Sequence, residues 1–487
     1  MTQALTAAEN WTVLLPELAL VGGAMLILAM NAIFPTRRGI AYPVFAAEAI
    51  VVSGILTTMQ WGEAPVAALG EMVVRDNFGV FARWVILGAA LLAVLTAHGY
   101  LRQRGLDRAE FYALLLLSSA GMTLLAVSSD LVMVFLSVEL LSLALYIMAG
   151  FERSRLDAQE ASMKYFLLGA FASAFLLYGI AFTYGASGTT NLLRLRDLIA
   201  VGGVADLTVL GLAMAFLAVG LGFKASLVPF HMWTPDAYQG APTPVTVFMV
   251  GATKTAAFAA IFRVLVGTLF QLRLDWQPVV AVLSAVTIVV ASVLAIAQTD
   301  VKRMLAYSSV SHAGFIAMAV VTSTQTGVAA GLLYLLIYAA MTIGAFSCVM
   351  LFREGAGERV HLSKYSGLGV RRPLAAALFA MFLFSLAGIP PLGGFWAKWY
   401  VLFSAIRADY TWLAAVAVLA SVAAAFFYAR VAVVMFMQEP HSADQMPLTR
   451  SAGLRVTLGI CAALVIGTGI APEFFLSLAE RAVSFAG

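Results

Sequence analysis

Six lysines stand against twenty-three arginines in this chain, and four of the six, Lys164, Lys224, Lys254 and Lys398, fall inside long apolar runs. Arginine keeps its proton in any protein environment, whereas a lysine can give it up when its surroundings disfavour the charge. Lysines kept for apolar surroundings therefore point to groups that load and release protons. Arginine serves wherever a fixed charge is enough.

Depth separates these lysines. Lys224 lies eighteen residues past Asp206 and twelve before Asp236, near the middle of its run. Lys254 follows Pro242 by twelve residues, roughly 18 Å along a helix and too deep for easy escape to water. Lys164 is close to the start of its run and could serve a pathway or reach the interface. Lys398, nine residues before Arg407, suits an exit residue as well as a snorkelling one. Arg83, Arg263 and Arg430 lie near the ends of their runs, where a long basic side chain ordinarily snorkels to water.

Glu139, nine residues from Asp130 and thirteen from Glu152, is too short to reach water from there and needs a proton or a cationic partner. If it meets Lys224, each holds the other's charge, and parting them would drive a proton onward. His312, in "YSSVSHAG", has the titration range of a relay group but could equally be hydrogen-bonded within a bundle. His231, with Asp236 and the Pro242/Pro244 turn, either shapes an uptake path or caps helix ends, and the second reading is favoured.

The segments that must position these groups are themselves unusual. "GFKASLVPFHMW" and "SLAGIPPLGGFWAKW" place Pro229, and the pair Pro390 and Pro391, inside the two longest apolar segments. Proline frees carbonyls and breaks a helix, and in transporters such breaks sit at ion sites. Each break is accompanied by a buried lysine.

With 62% hydrophobic and 11% charged residues, against about 25% charged in soluble proteins, the chain is predicted to be an all-α polytopic membrane protein. Uncharged runs of about 20 residues or more give fourteen spans: 13–34, 42–61, 78–98, 110–128, 130–150, 161–186, 206–235, 242–270, 276–297, 303–321, 326–352, 373–403, 410–436 and 453–471. The first follows the acidic Glu9 and is read as a span rather than a signal peptide.

Spans 4–8 and 9–13 each hold a broken helix in fourth place, and five is odd. Two such groups in tandem would have opposite membrane orientation, the inverted-repeat plan of many transporters. The expected organisation of 1–487 is three leading spans in 1–109, a first repeat at 110–270, a second at 276–436, and a loop with span 14 in 437–487.

The odd-numbered loops carry sixteen basic residues, Arg37, Arg38, Lys302, Arg303 and Arg359 among them, and the even loops with the C-terminal tail only six. Short basic loops stay in the cytoplasm, so both termini are expected outside. The net charge of +4 then reflects topology, and no basic tail suggests nucleic acid. Cys348 and Cys461 form no CxxC, so no iron–sulfur cluster is expected. No glycine-rich nucleotide loop occurs either. No cofactor is expected in this chain.

"GFKASLVPFHMWTPDAYQGAPTPVTVFM", "DVKRMLAYSSVSHAGF", "AGIPPLGGFWAKW" and "LLPELALVGGAMLIL" together resemble the antiporter-like membrane subunits of bacterial NADH-quinone oxidoreductase, respiratory complex I, over essentially all fourteen spans. Within that group "DAYQGAPTPVT" and Lys398 favour the subunit N branch, since subunit M resembles the second motif but carries glutamate there. The resemblance implies that quinone reduction elsewhere in the complex drives protons through this subunit. Glu139 would be the span-5 carboxylate, Lys224 its partner, Lys254 the central relay and Lys398 the outer-side lysine, with Lys164 matching a lysine of less certain role.

Flavin, iron–sulfur clusters and quinone would belong to partner subunits. Other membrane subunits would be direct partners, and the peripheral redox arm an indirect one. The implied location is the bacterial inner membrane. A sodium/proton antiporter subunit needs the same lysines and is the alternative; a scaffold whose buried charges only lock helix packing is a third reading.

Overall fold

The computed structural model describes residues 10–34, 41–354, 357–358, 360–440 and 447–483; Glu9, Arg37, Arg38 and Arg359 lie outside them. Its helices are α1 (Leu15–Ile33), α2 (Ala41–Met59), α3 (Asn77–Gln103), α4 (Ala109–Val127), α5 (Leu131–Ala149), α6 (Leu156–Ser187), α7 (Leu192–Ala200), α8 (Leu207–Ala225) and α9 (Trp233–Gly240). They continue with α10 (Thr243–Thr268), α11 (Arg273–Ile296), α12 (Val301–Thr322), α13 (Gln325–Leu351), α14 (Pro373–Ala387), α15 (Gly393–Arg407), α16 (Thr411–Met437), α17 (Ala452–Ile470) and α18 (Pro472–Ala482). The only strands among the described residues are two short antiparallel hairpins, β1 (Val66–Ala68) with β2 (Val73–Arg75), and β3 (Arg353–Glu354) with β4 (Gly357–Glu358).

All fourteen expected spans have a helical counterpart. Thirteen helices are long and apolar enough to cross a membrane, and the remaining span, 373–403, is divided into α14 and α15. The acidic residues that delimit spans do so by capping them. Asp206 accepts from the backbone of Thr208 and Val209 at the start of α8, Asp300 from Arg303 at the start of α12, and Asp130 from Val132 at the start of α5. Each side chain satisfies backbone donors that lack a partner in the first turn.

Burial sets the layering. α10 and α12 are wholly enclosed along their apolar windows and α13 is 94% enclosed, whereas α1, α2, α6, α16 and α17 stand at 33–39%. The outer helices present large apolar side chains such as Met25, Phe171 and Leu419 outward, as lipid- or subunit-facing surfaces do. The loops after odd-numbered spans gather at one end, here the basic end, where Arg104 pairs with Glu152 at 2.6 Å and Arg303 with Asp236 at 2.7 Å.

Two of the three arginines expected to snorkel, Arg83 and Arg263, are instead buried in ion pairs. Arg83 is fully buried on α3, with Nε and Nη2 donating to Glu17 of α1 at 2.9 and 2.8 Å and Nη1 to Gln60 at 2.9 Å. Arg263 meets both oxygens of Asp76 at 2.9 and 2.7 Å, and its Nε donates to the Ala126 carbonyl at 2.7 Å. Arg430, half-buried, donates to the carbonyls of Ile296 at the end of α11 and Gln298 just past it. Distance from a span end, read in sequence, could not reveal that a partner from another helix waits at the same depth.

Candidate functional site

The site begins at two interruptions built alike. α8 ends at Ala225, Ser226 takes a left-handed conformation with φ 64°, and Pro229 follows three residues later. α14 ends at Ala387, Gly388 has φ 87°, and Pro391 follows at the same spacing. The Val228–Pro229 and Pro390–Pro391 bonds are both cis. Each break strands the last carbonyl of its helix inside the protein, where it needs a donor.

Lysines supply those donors. Lys254 Nζ donates to the Ala225 carbonyl at 3.1 Å and Lys398 Nζ to the Ala387 carbonyl at 2.9 Å, with Ser421 Oγ of α16 at 3.4 Å. Lys254 enters from α10, directly after a π-helical turn at Met249–Thr253, and a second such turn spans Phe262–Thr268. These turns re-aim side chains within a helix and recur at functional sites. Lys398 enters from α15, past its own break. Counting seven residues on from Pro229 and from Pro391 reaches Asp236 and Lys398, so the two units place opposite charges at matching positions.

Lys224, in the last turn of α8, is 2% exposed. Its Nζ donates to Ser142 Oγ of α5 at 2.7 Å and to Tyr165 OH of α6 at 3.2 Å. Glu139 does not touch it. That carboxylate, half-buried one turn before Ser142, accepts a short hydrogen bond from the Ser173 hydroxyl of α6. Ser142, three residues from Glu139 on the same helix face, meets Lys224 while its own hydroxyl donates to the Val138 carbonyl. The i, i+3 spacing was the available signal for Ser142; nothing in the sequence singled out Tyr165.

The break is stapled on several sides. Trp233 Nε1 donates to the Phe223 carbonyl at 3.0 Å and its ring stacks on Tyr165 with centroids 4.4 Å apart. Thr234 bonds Ser226 at 2.8 Å, and Thr287 of α11 accepts from the Val228 amide at 2.9 Å. His231 lies beyond Pro229, half-buried, and its Nδ1 is enclosed without a hydrogen-bond partner. Its backbone carbonyl accepts from the Thr234 amide at 2.9 Å in the turn that leads into α9.

His312, 2% exposed on the central α12, is held by groups of the second half of the chain. Its Nδ1 is 2.6 Å from Tyr334 OH of α13 and its Nε2 3.4 Å from Tyr428 OH of α16, which also bonds Ser308. Lys398 Nζ lies 5.0 Å from the centre of the Phe315 ring, one turn along α12 from His312. Lys224, Lys254, His312 and Lys398 thus form a buried series that passes from one broken helix to the other.

Lys164 belongs elsewhere. Its side chain is 45% exposed and pairs with Glu160 at 2.7 Å and Asp236 at 2.8 Å, and Asp236 pairs in turn with Arg303. These charges border a cavity of about 200 Å³ at the basic end, lined by Asp157, Glu160, Asp236 and Arg303. Lys302, taken from the sequence as a loop residue, is a fourth buried lysine. It sits in the first turn of α12, 2% exposed, donating to Thr243 Oγ1 at 2.9 Å and the Ala241 carbonyl at 3.2 Å, with Glu358 at 3.6 Å. The neighbouring Asp300 and Arg303 made it look solvated.

A common rule divides these cations. Among the described residues, Lys224, Lys254 and Lys398 have no carboxylate within ion-pairing distance and are held by hydroxyls and carbonyls. Arg83 and Arg263 are locked to carboxylates. A cation held only by neutral oxygens has no fixed counter-charge, so its proton answers to whatever charge approaches.

The known proteins most informative here share this architecture. The family profile described as NADH:quinone oxidoreductase/Mrp antiporter, TM, matches residues 128–424. NADH-quinone oxidoreductase subunit N of Chloroflexus aggregans is 41% identical over 479 residues, 97% of either chain. A chain of respiratory complex I from Thermus thermophilus matches with a TM-score of 0.80 and 33% identity, over 96% of this chain and 100% of that one. A chain of the Mrp complex from Dietzia matches in fold alone, with a TM-score of 0.77 and 24% identity over 99% of this chain and 97% of that one. With breaks, buried lysines and full-length similarity in agreement, this chain belongs to the family of antiporter-like membrane subunits of NADH:quinone oxidoreductase and Mrp antiporters.

Proposed function

We propose that this chain is a proton-translocating membrane subunit of NADH:quinone oxidoreductase, without redox chemistry of its own. In this reading Lys224, Lys254, His312 and Lys398 pass protons between the two breaks. Glu139 modulates Lys224 by its charge, without direct contact, and Lys164 belongs to the charged rim at the basic end. Quinone reduction in partner subunits supplies the energy, and flavin, iron–sulfur clusters and quinone sit there. The other membrane subunits are direct neighbours and the peripheral arm acts from a distance. Both termini face the outer side of a bacterial inner membrane, by the distribution of basic loops.

One observation carries the reading: the three buried lysines of the series have neutral partners, while buried arginines are locked in ion pairs. A structural scaffold would favour fixed pairs throughout. The sodium/proton antiporter alternative has weaker support, since full-length similarity near 40% identity leads to subunit N and the Mrp likeness is one of fold.

The test uses the assembled complex in membrane vesicles. Lys224→Ala and Glu139→Ala should lower the number of protons moved per electron and slow coupled quinone reduction. Lys224→Arg should fail too, because it keeps the charge and loses the exchangeable proton. Normal proton-to-electron ratios in all three variants would exclude the relay.

A further inference from the structure

We propose that the basic end of α2, α3 and α17 forms a binding site for an anionic phospholipid, separate from the lysine series. A cavity of about 600 Å³ opens between these helices, within the range of about 300–1,000 Å³ typical of ligand sites. Val44 and Ala47 of α2, with Val94 and Leu95 of α3, form its apolar walls, and Arg102 and Arg450 stand at its mouth.

The chemistry changes along the groove. Val94 and Arg102 are eight residues apart on α3, about 12 Å of helix, which is most of one leaflet's share of a hydrocarbon layer about 30 Å thick. An acyl chain matches the deep part and a phosphate the mouth. Both arginines are exposed and, among the described residues, their guanidinium groups make no hydrogen bond or ion pair. Arg104, Arg155 and Arg303 at the same end each have a carboxylate. Two guanidinium groups lining one groove at headgroup depth, neither paired with a carboxylate, suit an anion such as phosphate.

The groove is held open by close helix contact behind it. A Cβ on Gly99 would lie 2.5 Å from Ser451 Oγ, and one on Gly453 would lie 2.1 Å from the Leu95 carbonyl. The backbones of α3 and α17 are therefore fixed against one another, and the cavity is preformed.

The experiment takes the complex carrying this chain, extracted in mild detergent and stripped of loosely held lipid, and titrates it with dioleoyl-phosphatidylglycerol. Bound lipid is counted by native mass spectrometry. The double variant Arg102→Gln/Arg450→Gln should bind this lipid roughly 30-fold more weakly, from about 1 kcal/mol per arginine at the membrane surface. Ala47→Trp, which fills the groove and leaves the charges, should lose the same lipid; it decides the matter alone if the double variant does not assemble. Unchanged binding in the variants, equal retention of dioleoyl-phosphatidylcholine, displacement by millimolar inorganic phosphate, or a neighbouring subunit's side chains in the groove would each overturn the proposal.

Discussion

At the residue scale, what distinguishes a relay cation from a structural one is the partner it leaves behind. Replacing Arg83 by Leu would leave the Glu17 carboxylate buried and unpaired, a loss of about 3–5 kcal/mol. Replacing Lys254 by Leu leaves only the Ala225 carbonyl without its donor, a cost of about 1–3 kcal/mol. Arg83→Leu should therefore reduce the amount of assembled complex on native gels, whereas Lys254→Leu should assemble and fail to acidify vesicles. Equal assembly of both variants would contradict the division. The sequence made the lysines legible because arginine is used so freely elsewhere that a lysine in an apolar run stands out. It left the arginine partners hidden, since Glu17, Asp76 and the Ile296 carbonyl belong to distant segments that only packing brings together.

At the element scale, both helix breaks were readable from proline inside apolar runs, but the turn chemistry that completes them was not. The left-handed residue after each stranded carbonyl is Ser226 in one break and Gly388 in the other, and serine is not a residue that marks such a position. The π-helical turns flanking Lys254 were equally silent, because no residue type in them marks a π turn. Gly388 offers a clean test. Alanine there meets a backbone conformation costing about 1–2 kcal/mol, and its Cβ would sit 2.9 Å from Lys398 Cδ. Gly388→Ala should lower the melting temperature of the complex and also depress pumping by displacing Lys398. Ser226→Gly relieves the left-handed backbone but removes the Thr234 hydrogen bond, so it should lower the melting temperature less than Gly388→Ala, with pumping preserved. Normal pumping by a destabilised Gly388→Ala variant would separate the break from the relay.

At the scale of the whole molecule, composition sufficed for the number of spans but not for their arrangement. Helices packed against protein and helices packed against lipid draw on the same apolar residues, so α10 and α6 read alike although one is enclosed and the other is peripheral. What joins the two halves at the basic end is the cluster of Lys302, Thr243 and Glu358. Lys302 belongs to α12, Thr243 begins α10, and Glu358 closes the β3–β4 hairpin after α13. Thr243 Oγ1 donates to Glu358 Oε2 at 2.6 Å while accepting from Lys302. If the cluster is a buried ion pair tying the halves, either single change, Lys302→Gln or Glu358→Gln, should destabilise the complex. The double variant should then be less impaired than the sum of the two by about 0.5–3 kcal/mol, because the second change removes the charge that the first left uncompensated. Thermal unfolding of the detergent-solubilised complex, run as a double-mutant cycle, measures that coupling. Strict additivity would mean that the halves are joined by the packing of α10 against α13 rather than by charge.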